Sequence, residues 1–272
     1  MINILFLGDV VGRAGRIAIR DQLPDLISKW HLDFVVVNAE NATSGSGLSV
    51  EHAKELLSHG VDVLTLGDHA FDQREMMQYI ELEPRIIRPL NFSKVAPGRG
   101  HGIFSTKSGR QVAVLQVLGQ VFMKKIFSSP FDSIDKALAG LSLANNCDAI
   151  LVDLHAEATS EKMALGHWCD GRVTLAVGTH THVPTSDLQI LDKGTAYLTD
   201  AGMCGDYNSV IGMDKLEPIS RFVTGMNKGR FVPASGPTTL CGLFLEVDPR
   251  GFTNKVCSVS IGGRLSQRTI DI

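Results

Sequence analysis

Six short runs of mostly branched aliphatic residues set the class of fold open to this chain. Residues 2–7, 34–38, 63–66, 112–117, 149–154 and 173–178 each run four to six positions before a polar or glycine-containing turn. Apolar runs of this length without strict alternation fit strands covered on both faces; a buried helix would need about ten residues or more. Stretches with helical spacing lie between them. Residues 17–30 carry Ile19, Leu23, Leu26, Ile27 and Trp30, with Pro24 expected to kink or break the run. Residues 50–58 and 74–80 are shorter, and Asp72-Gln73-Arg74-Glu75 reads as a capping box for the second. Residues 133–141 and 161–169 complete the set. Strand–helix alternation over the first 180 residues predicts an α/β core with mainly parallel strands.

The later chain differs. Lys107-Ser108-Gly109 and Asp192-Lys193-Gly194 sit between strand-like runs as hairpin turns do, and residues 240–247 and 256–261 read as late strands. Residues 199–237 are rich in glycine and polar residues with no clear period, which points to a functional loop. No repeat or low-complexity boundary divides the chain, so one domain over residues 1–272 is expected.

Charge narrows the partners. With 26 basic and 29 acidic residues, the net of −3 offers no electrostatic footprint for duplex nucleic acid or an anionic membrane. A small anion is still admissible, because a bound cation can reverse a local field. Five scattered cysteines without a C-x-x-C pair fit reduced thiols in a cytoplasmic protein. The first residues read as a strand, not a signal peptide, and no apolar run approaches the ~18 residues of a membrane span. Self-association through an apolar patch is left open by the sequence.

The metal-capable side chains fall just past strand ends. Residues 2–7 lead to Gly8-Asp9, 34–38 to Ala39-Glu40-Asn41, 63–66 to Gly67-Asp68-His69, 149–154 to His155, and 173–178 to His180-Thr181-His182. In one parallel sheet these turns would share an edge, where open α/β sheets bind ligands. Each piece alone has an ordinary explanation: Gly-Asp is common turn chemistry, Glu40 a solvated acid, Asp68-His69 a loop pair, His155 a satisfied core histidine. His180 and His182, alternate residues of an extended chain, would point the same way as a compact grip. Together, three carboxylates and four imidazoles need a cation to offset their repulsion. The set suits manganese, iron or zinc and exceeds what one tetrahedral ion requires, so two ions clamping a phosphoryl group are the simpler account.

In order and spacing, Gly8-Asp9, Asn38-Ala39-Glu40-Asn41, Gly67-Asp68-His69, His155 and Gly178-Thr179-His180-Thr181-His182 resemble the motifs of calcineurin-like metallophosphoesterases. More narrowly, the chain resembles the bacterial YmdB-type phosphodiesterases, which carry Glu in the second motif; the likeness extends through residues 199–205 and 209–214. It implies a four-layer α/β/β/α sandwich with a dinuclear site of iron or manganese above the central sheets. By position, Asp9, Glu40 and His182 would hold one ion, and Glu40 would bridge to a second held by Asp68, His155 and His180. Asn41 would lie near the substrate phosphate, and His69 would protonate the leaving oxygen or steady the phosphate. The implied reaction is hydrolysis of small phosphodiesters, with 2′,3′-cyclic nucleotides as the substrate type.

Two departures stand out. Val11 replaces the histidine that many metallophosphoesterases place two residues after the first Asp, as the narrower family also does. Asp68 stands where that family usually has Asn, adding charge and removing a donor. Tighter binding of a more highly charged ion and weaker phosphate stabilisation are expected. Two rival readings remain: a regulatory protein that binds metal and a phosphorylated ligand with little turnover, and a mononuclear amide hydrolase that would leave several candidate ligands unused.

Overall fold

The computed structural model describes residues 1–124 and 127–270. Its first half supplies β1 (Ile2–Leu7), β2 (Asp9–Val10), α1 (Gly12–Lys29), β3 (Phe34–Asn38), α2 (Val50–Ser58), β4 (Val63–Thr65), α3 (Met76–Leu82) and β5 (Ile86–Ile87). There follow β6 (His101–Ser105), β7 (Gln111–Leu118), α4 (Pro130–Leu138), β8 (Ala149–His155), α5 (Thr159–Cys169), β9 (Leu175–Thr179), β10 (Gln189–Ile190) and β11 (Ala196–Leu198). The chain closes with β12 (Met203–Asp206), α6 (Leu216–Thr224), β13 (Thr238–Val247) and β14 (Thr253–Gly262).

Among the described residues, eight strands form one sheet in the order β2-β12-β13-β1-β3-β4-β5, with β14 paired to β13. Six form a second, ordered β10-β11-β9-β8-β7-β6. The pairs β1–β3, β3–β4 and β4–β5 are parallel, as are β7–β8, β8–β9 and β9–β11; β13, β14, β6 and β10 join antiparallel. The apolar runs are continuous because both faces of these strands are covered. Ile4, Phe6, Phe34 and Val36 meet Val112, Val114, Leu151 and Val177 in the core between the sheets. Leu5, Leu7, Val35 and Val37 turn instead to Ala18, Ile19, Leu23 and Leu56 on α1 and α2, and Leu115, Ile150 and Val152 to Ile134 and Leu165 on α4 and α5. The layers are therefore α/β/β/α.

Three local expectations change. Helix α1 starts earlier than predicted and runs unbroken through Pro24, which lies on its exposed face, where water can reach the carbonyl that loses its partner. No capping box opens α3: Asp72 accepts from Ser46 Oγ and meets His69 Nδ1, while Glu75 Oε1 accepts the Val50 N–H. Residues 199–237 are not irregular throughout, since β12 and α6 lie within them. Among the described residues no helix is long and apolar enough to cross a membrane.

Candidate active site

The first sheet delivers carboxylates: Asp9 follows β1 across Gly8, and Glu40 and Asp68 lie just past β3 and β4. The second delivers imidazoles: His155 ends β8, and His180 and His182 follow β9. The side chains therefore converge from two facing sheets, not along one sheet edge as the sequence suggested; sequence pattern identifies strands but not which of them pair. One ligand atom each from Glu40, Asp68, His155 and His180 lies within 4.8 Å of all the others, and so do single atoms from Asp9, Glu40 and His182. Glu40 belongs to both groups. A cavity of about 260 Å³ opens over them, lined by Glu40, Asn41, His69, Glu157, His180 and His182 among others.

The two late histidines are not neighbours on an extended strand. His180 has φ 92° and His182 φ 65°, both left-handed, and the turn sends one ring to each group. Such backbone is rare outside glycine and persists only where surroundings enforce it. Here Asp200 enforces it: its Oδ2 accepts from Thr181 N at 3.1 Å, from Thr181 Oγ1 at 2.5 Å and from Lys162 Nζ at 2.9 Å, with both charged side chains fully buried. His180 N also donates to Asp9 Oδ2 at 3.1 Å.

Ring orientations follow from the hydrogen bonds. Thr179 Oγ1 gives its proton to Asp153 Oδ1 at 2.6 Å and so faces His155 Nδ1, 2.8 Å away, as an acceptor. A neutral His155 must then keep its proton on Nδ1 and turn the Nε2 lone pair to Glu40 Oε1 at 3.1 Å and Asp68 Oδ1 at 3.4 Å. Asp153 Oδ2 is held in turn by Asn38, Thr65 and Gln116. His182 Nδ1 donates to the Ile211 carbonyl at 2.8 Å, which frees its Nε2 for the cluster. His69 Nδ1 sits 2.6 Å from Asp72 Oδ2, the His69 backbone N–H donates to Glu40 Oε2 at 3.2 Å, and the ring borders the cavity. Asn41 Nδ2 donates to Glu40 Oε1 at 3.0 Å and approaches His182 Nε2 at 3.2 Å.

The electrostatics favour positive charge at the centre. Burial pushes the Asp9 carboxyl up to about 7 despite His182 and His155. Burial also opposes ionisation of Glu40 and Asp68, yet the neighbouring His155 brings Glu40 down to about 2 and holds Asp68 below the usual range. Burial works against charge on His155, but Glu40, Asp68 and Asp9 raise it well above an ordinary histidine. Burial and then His155 push His180 down to about 4. For His69, burial is outweighed by Glu40, Asp68 and Asp72, and its pKa is raised. Asp9 Oδ1 tests the fit of a cation directly. This oxygen is buried with no hydrogen-bond partner among the described residues, 3.8 Å from His182 Nε2 and 4.0 Å from His155 Nδ1. A buried carboxylate oxygen without a donor, beside ring nitrogens, is the environment a metal ion satisfies. Gly67 keeps the centre open, because a Cβ there would overlap Glu40 Oε2.

All eight residues singled out from sequence, namely Asp9, Glu40, Asn41, Asp68, His69, His155, His180 and His182, gather at this rim. Sequence reasoning missed their supports. Asp153 left a signal, a carboxylate inside a buried apolar strand; Asp72, Glu157, Lys162 and Asp200 left none separable from surface charge. Glu157 Oε2 lies 3.4 Å from His180 Nε2. On α1, Arg16 is spent on Glu55 and the Ala42 carbonyl, and Arg20 on Asp21.

Two facing sheets flanked by helices, with carboxylates and imidazoles pooled at their strand ends, define a protein of the metallophosphoesterase fold type. A family model described as YmdB-like protein matches residues 5–259, and the chain belongs to that family. It is 41% identical over 247 residues to a 2′,3′-cyclic-nucleotide 2′-phosphodiesterase of Bacillus subtilis, covering 91% of this chain and 92% of that one. A hypothetical protein of Thermus thermophilus superposes with a TM-score of 0.90 at 37% identity, covering 97% of this chain and 100% of the other. A structure described as a novel phosphatase of Mycoplasma pneumoniae gives 0.87 at 36%, covering 96% and 93%.

Proposed function

We propose that this chain is a metal-dependent phosphodiesterase that hydrolyses small phosphodiesters, with 2′,3′-cyclic nucleotides as the leading substrate type. The observation that carries the reading is the meeting of two carboxylate–imidazole groups at Glu40. Asp9, Glu40 and His182 would hold one ion and Glu40, Asp68, His155 and His180 another, with iron or manganese suited to the mixed oxygen and nitrogen donors. Bound there, the ions would supply Lewis acidity and bring the pKa of a water toward neutrality.

The protein's own residues account for the rest. Asn41 can turn an amide N–H to a phosphate oxygen held beside Glu40. His69 borders the cavity with Nδ1 fixed by Asp72, so its other nitrogen can carry a proton to the departing oxygen. The Asp72 carboxylate beside Nδ1 favours the protonated form of His69 as a donor. The relative from Bacillus subtilis supports the substrate type by its name. The reading takes residues 1–272 as one domain acting in the cytoplasm, where free cysteines such as the buried Cys147, Cys169, Cys204 and Cys241 are at home.

The test is elemental analysis of protein purified without added metal, followed by a phosphodiester panel that includes cyclic nucleotides. Two ions per chain and product release that is lost in Asp9→Asn and Glu40→Gln support the proposal; metal binding without turnover returns the regulatory reading that Asp68 favours. One ion per chain with amide hydrolysis returns the mononuclear one. His69→Ala should lower turnover by ~10²–10⁴-fold with metal content retained.

A further inference from the structure

A charge taken out of water is costly, and buried charges are normally paired with an opposite one. Arg88 departs from that rule. It lies just past β5, is only 6% exposed, and gives its guanidinium N–H groups to backbone carbonyls alone: Pro97 at 3.0 Å, Pro89 at 2.8 Å and Ala96 at 3.2 Å. Glu81 is the acid whose charge reaches it, and Glu81 is taken up by the Gly98 N–H at 2.7 Å. Arg88 lines a cavity of about 440 Å³ between the chain leading from β5 to β6 and helix α4. Lys94, Arg99 and Lys136 line it too, with His101 beside them, and among the described residues no carboxylate does. None of those three cations has an ion-pair partner among the described residues, whereas Arg85, Arg110 and Arg172 each meet a carboxylate elsewhere. The wall is held in shape. Arg88 N donates to Arg99 O at 3.0 Å and Leu90 N to Gln116 O at 2.7 Å. Asn91 Nδ2 bridges the Leu118 and Ser128 carbonyls at 2.8 and 2.9 Å, and Phe92 stacks on Phe127 with ring centres 4.2 Å apart.

We propose that this cavity is a second ligand site, which takes a dianionic phosphate group, free or carried on a small monoester. Charge is the first reason. Arg88, Lys94, Arg99 and Lys136 surround the cavity in a chain whose net charge is −3, so the local field is opposite in sign to that of the whole molecule. A phosphodiester carries a single negative charge, whereas a terminal phosphate carries about −1.5 to −2 at pH 7 and three strong acceptor oxygens. Guanidinium groups meet such oxygens in forked pairs, and the charge-assisted bonds are the strong ones. Size is the second. The volume falls within the roughly 300–1,000 Å³ of small-molecule sites. Leu90, Phe92 and Ala137 offer an apolar wall to the body of an ester, and Ser128 and Ser133 supply hydroxyl donors. The catalytic cavity and this one share no lining residue, so the second site stands independently of the proposed activity.

The test is calorimetric titration of the full chain with inorganic phosphate, adenosine monophosphate and adenosine, repeated on Arg99→Gln, Lys136→Gln and Asp9→Asn, with circular dichroism to confirm folding. Both phosphate-bearing probes should bind and adenosine should not. Each cation variant should weaken that binding by about 10–100-fold, and Asp9→Asn should leave it in place. Tighter binding of the monophosphate than of inorganic phosphate assigns the site to an ester, and equal affinity assigns it to free phosphate; either result supports the proposal. Hydrogen exchange on the unaltered protein supplies a second measurement that needs no variant: amides of residues 88–101 should gain protection when either phosphate is added. No binding of either phosphate, affinity unchanged in both cation variants, binding lost in Asp9→Asn, or adenosine held as tightly as its monophosphate would each overturn the proposal.

Discussion

Replacing Lys162 by Met isolates the interaction that shapes the turn between His180 and His182. Lys162 and Asp200 are fully buried and 2.9 Å apart. Removing one partner of a buried pair leaves an uncompensated charge, at a cost of about 3–5 kcal/mol. Asp200 would keep three donors, Thr181 N and Thr181 Oγ1 on Oδ2 and Gly202 N on Oδ1, which places the expected loss at the low end, about 3 kcal/mol. At roughly 2–4 °C per kcal/mol for a chain somewhat smaller than this one, the thermal midpoint should fall by roughly 6–12 °C. Calorimetry and urea titration of apo protein would measure it. Asp200→Asn in the same chain removes the stranded charge and should recover about half of the loss or more, because the penalty lies in the unpaired carboxylate. A loss below about 1 kcal/mol, or a double variant no better than Lys162→Met alone, would refute this account of the turn.

Other outcomes follow from the same geometry. Asp153→Asn should weaken metal binding about 10–100-fold, measured by titration against a chelator, because the Thr179–His155 orientation loses its anchor. Asp68→Asn should lower occupancy by a trivalent ion and raise turnover; unchanged metal content together with an unchanged rate would contradict the role given to Asp68. Gly67→Ala should abolish metal binding with little change in far-ultraviolet dichroism, since the new Cβ would overlap Glu40 Oε2. Trp30→Ala should cost about 3–5 kcal/mol in urea unfolding, because Trp30 is fully buried with its ring edge-on to Phe244 at 6.1 Å.

Much of this was legible because burial and chemistry wrote themselves into adjacent residues. The strands β1 and β3 have the predicted bounds, since an apolar run covered on both faces ends where the chain meets solvent. Glu40 and Asp68 stood out because each follows such a run. The division into two sheets, which the family resemblance implied, was not legible from the residue pattern itself, because pairing depends on contacts between distant strands such as β7 and β8. Nor was the left-handed turn at His180 and His182, which Asp200 imposes from eighteen to twenty residues away. The capping box misled because Asp72 has a stronger partner in His69. Helix α6 was hidden by the glycines and polar residues around it, although Leu216, Ile219 and Phe222 carry the period.

The split origin of the cluster has a consequence for the whole molecule. Glu40 belongs to one sheet and His155 and His180 to the other, so an ion held by all three would act as a clasp across the sandwich. Binding to the folded form alone adds about 2.7 kcal/mol at a hundredfold excess over Kd. If the proposed ions bind there, a chain starved of them would become a looser substrate for proteases, and its abundance in a cell would track metal supply.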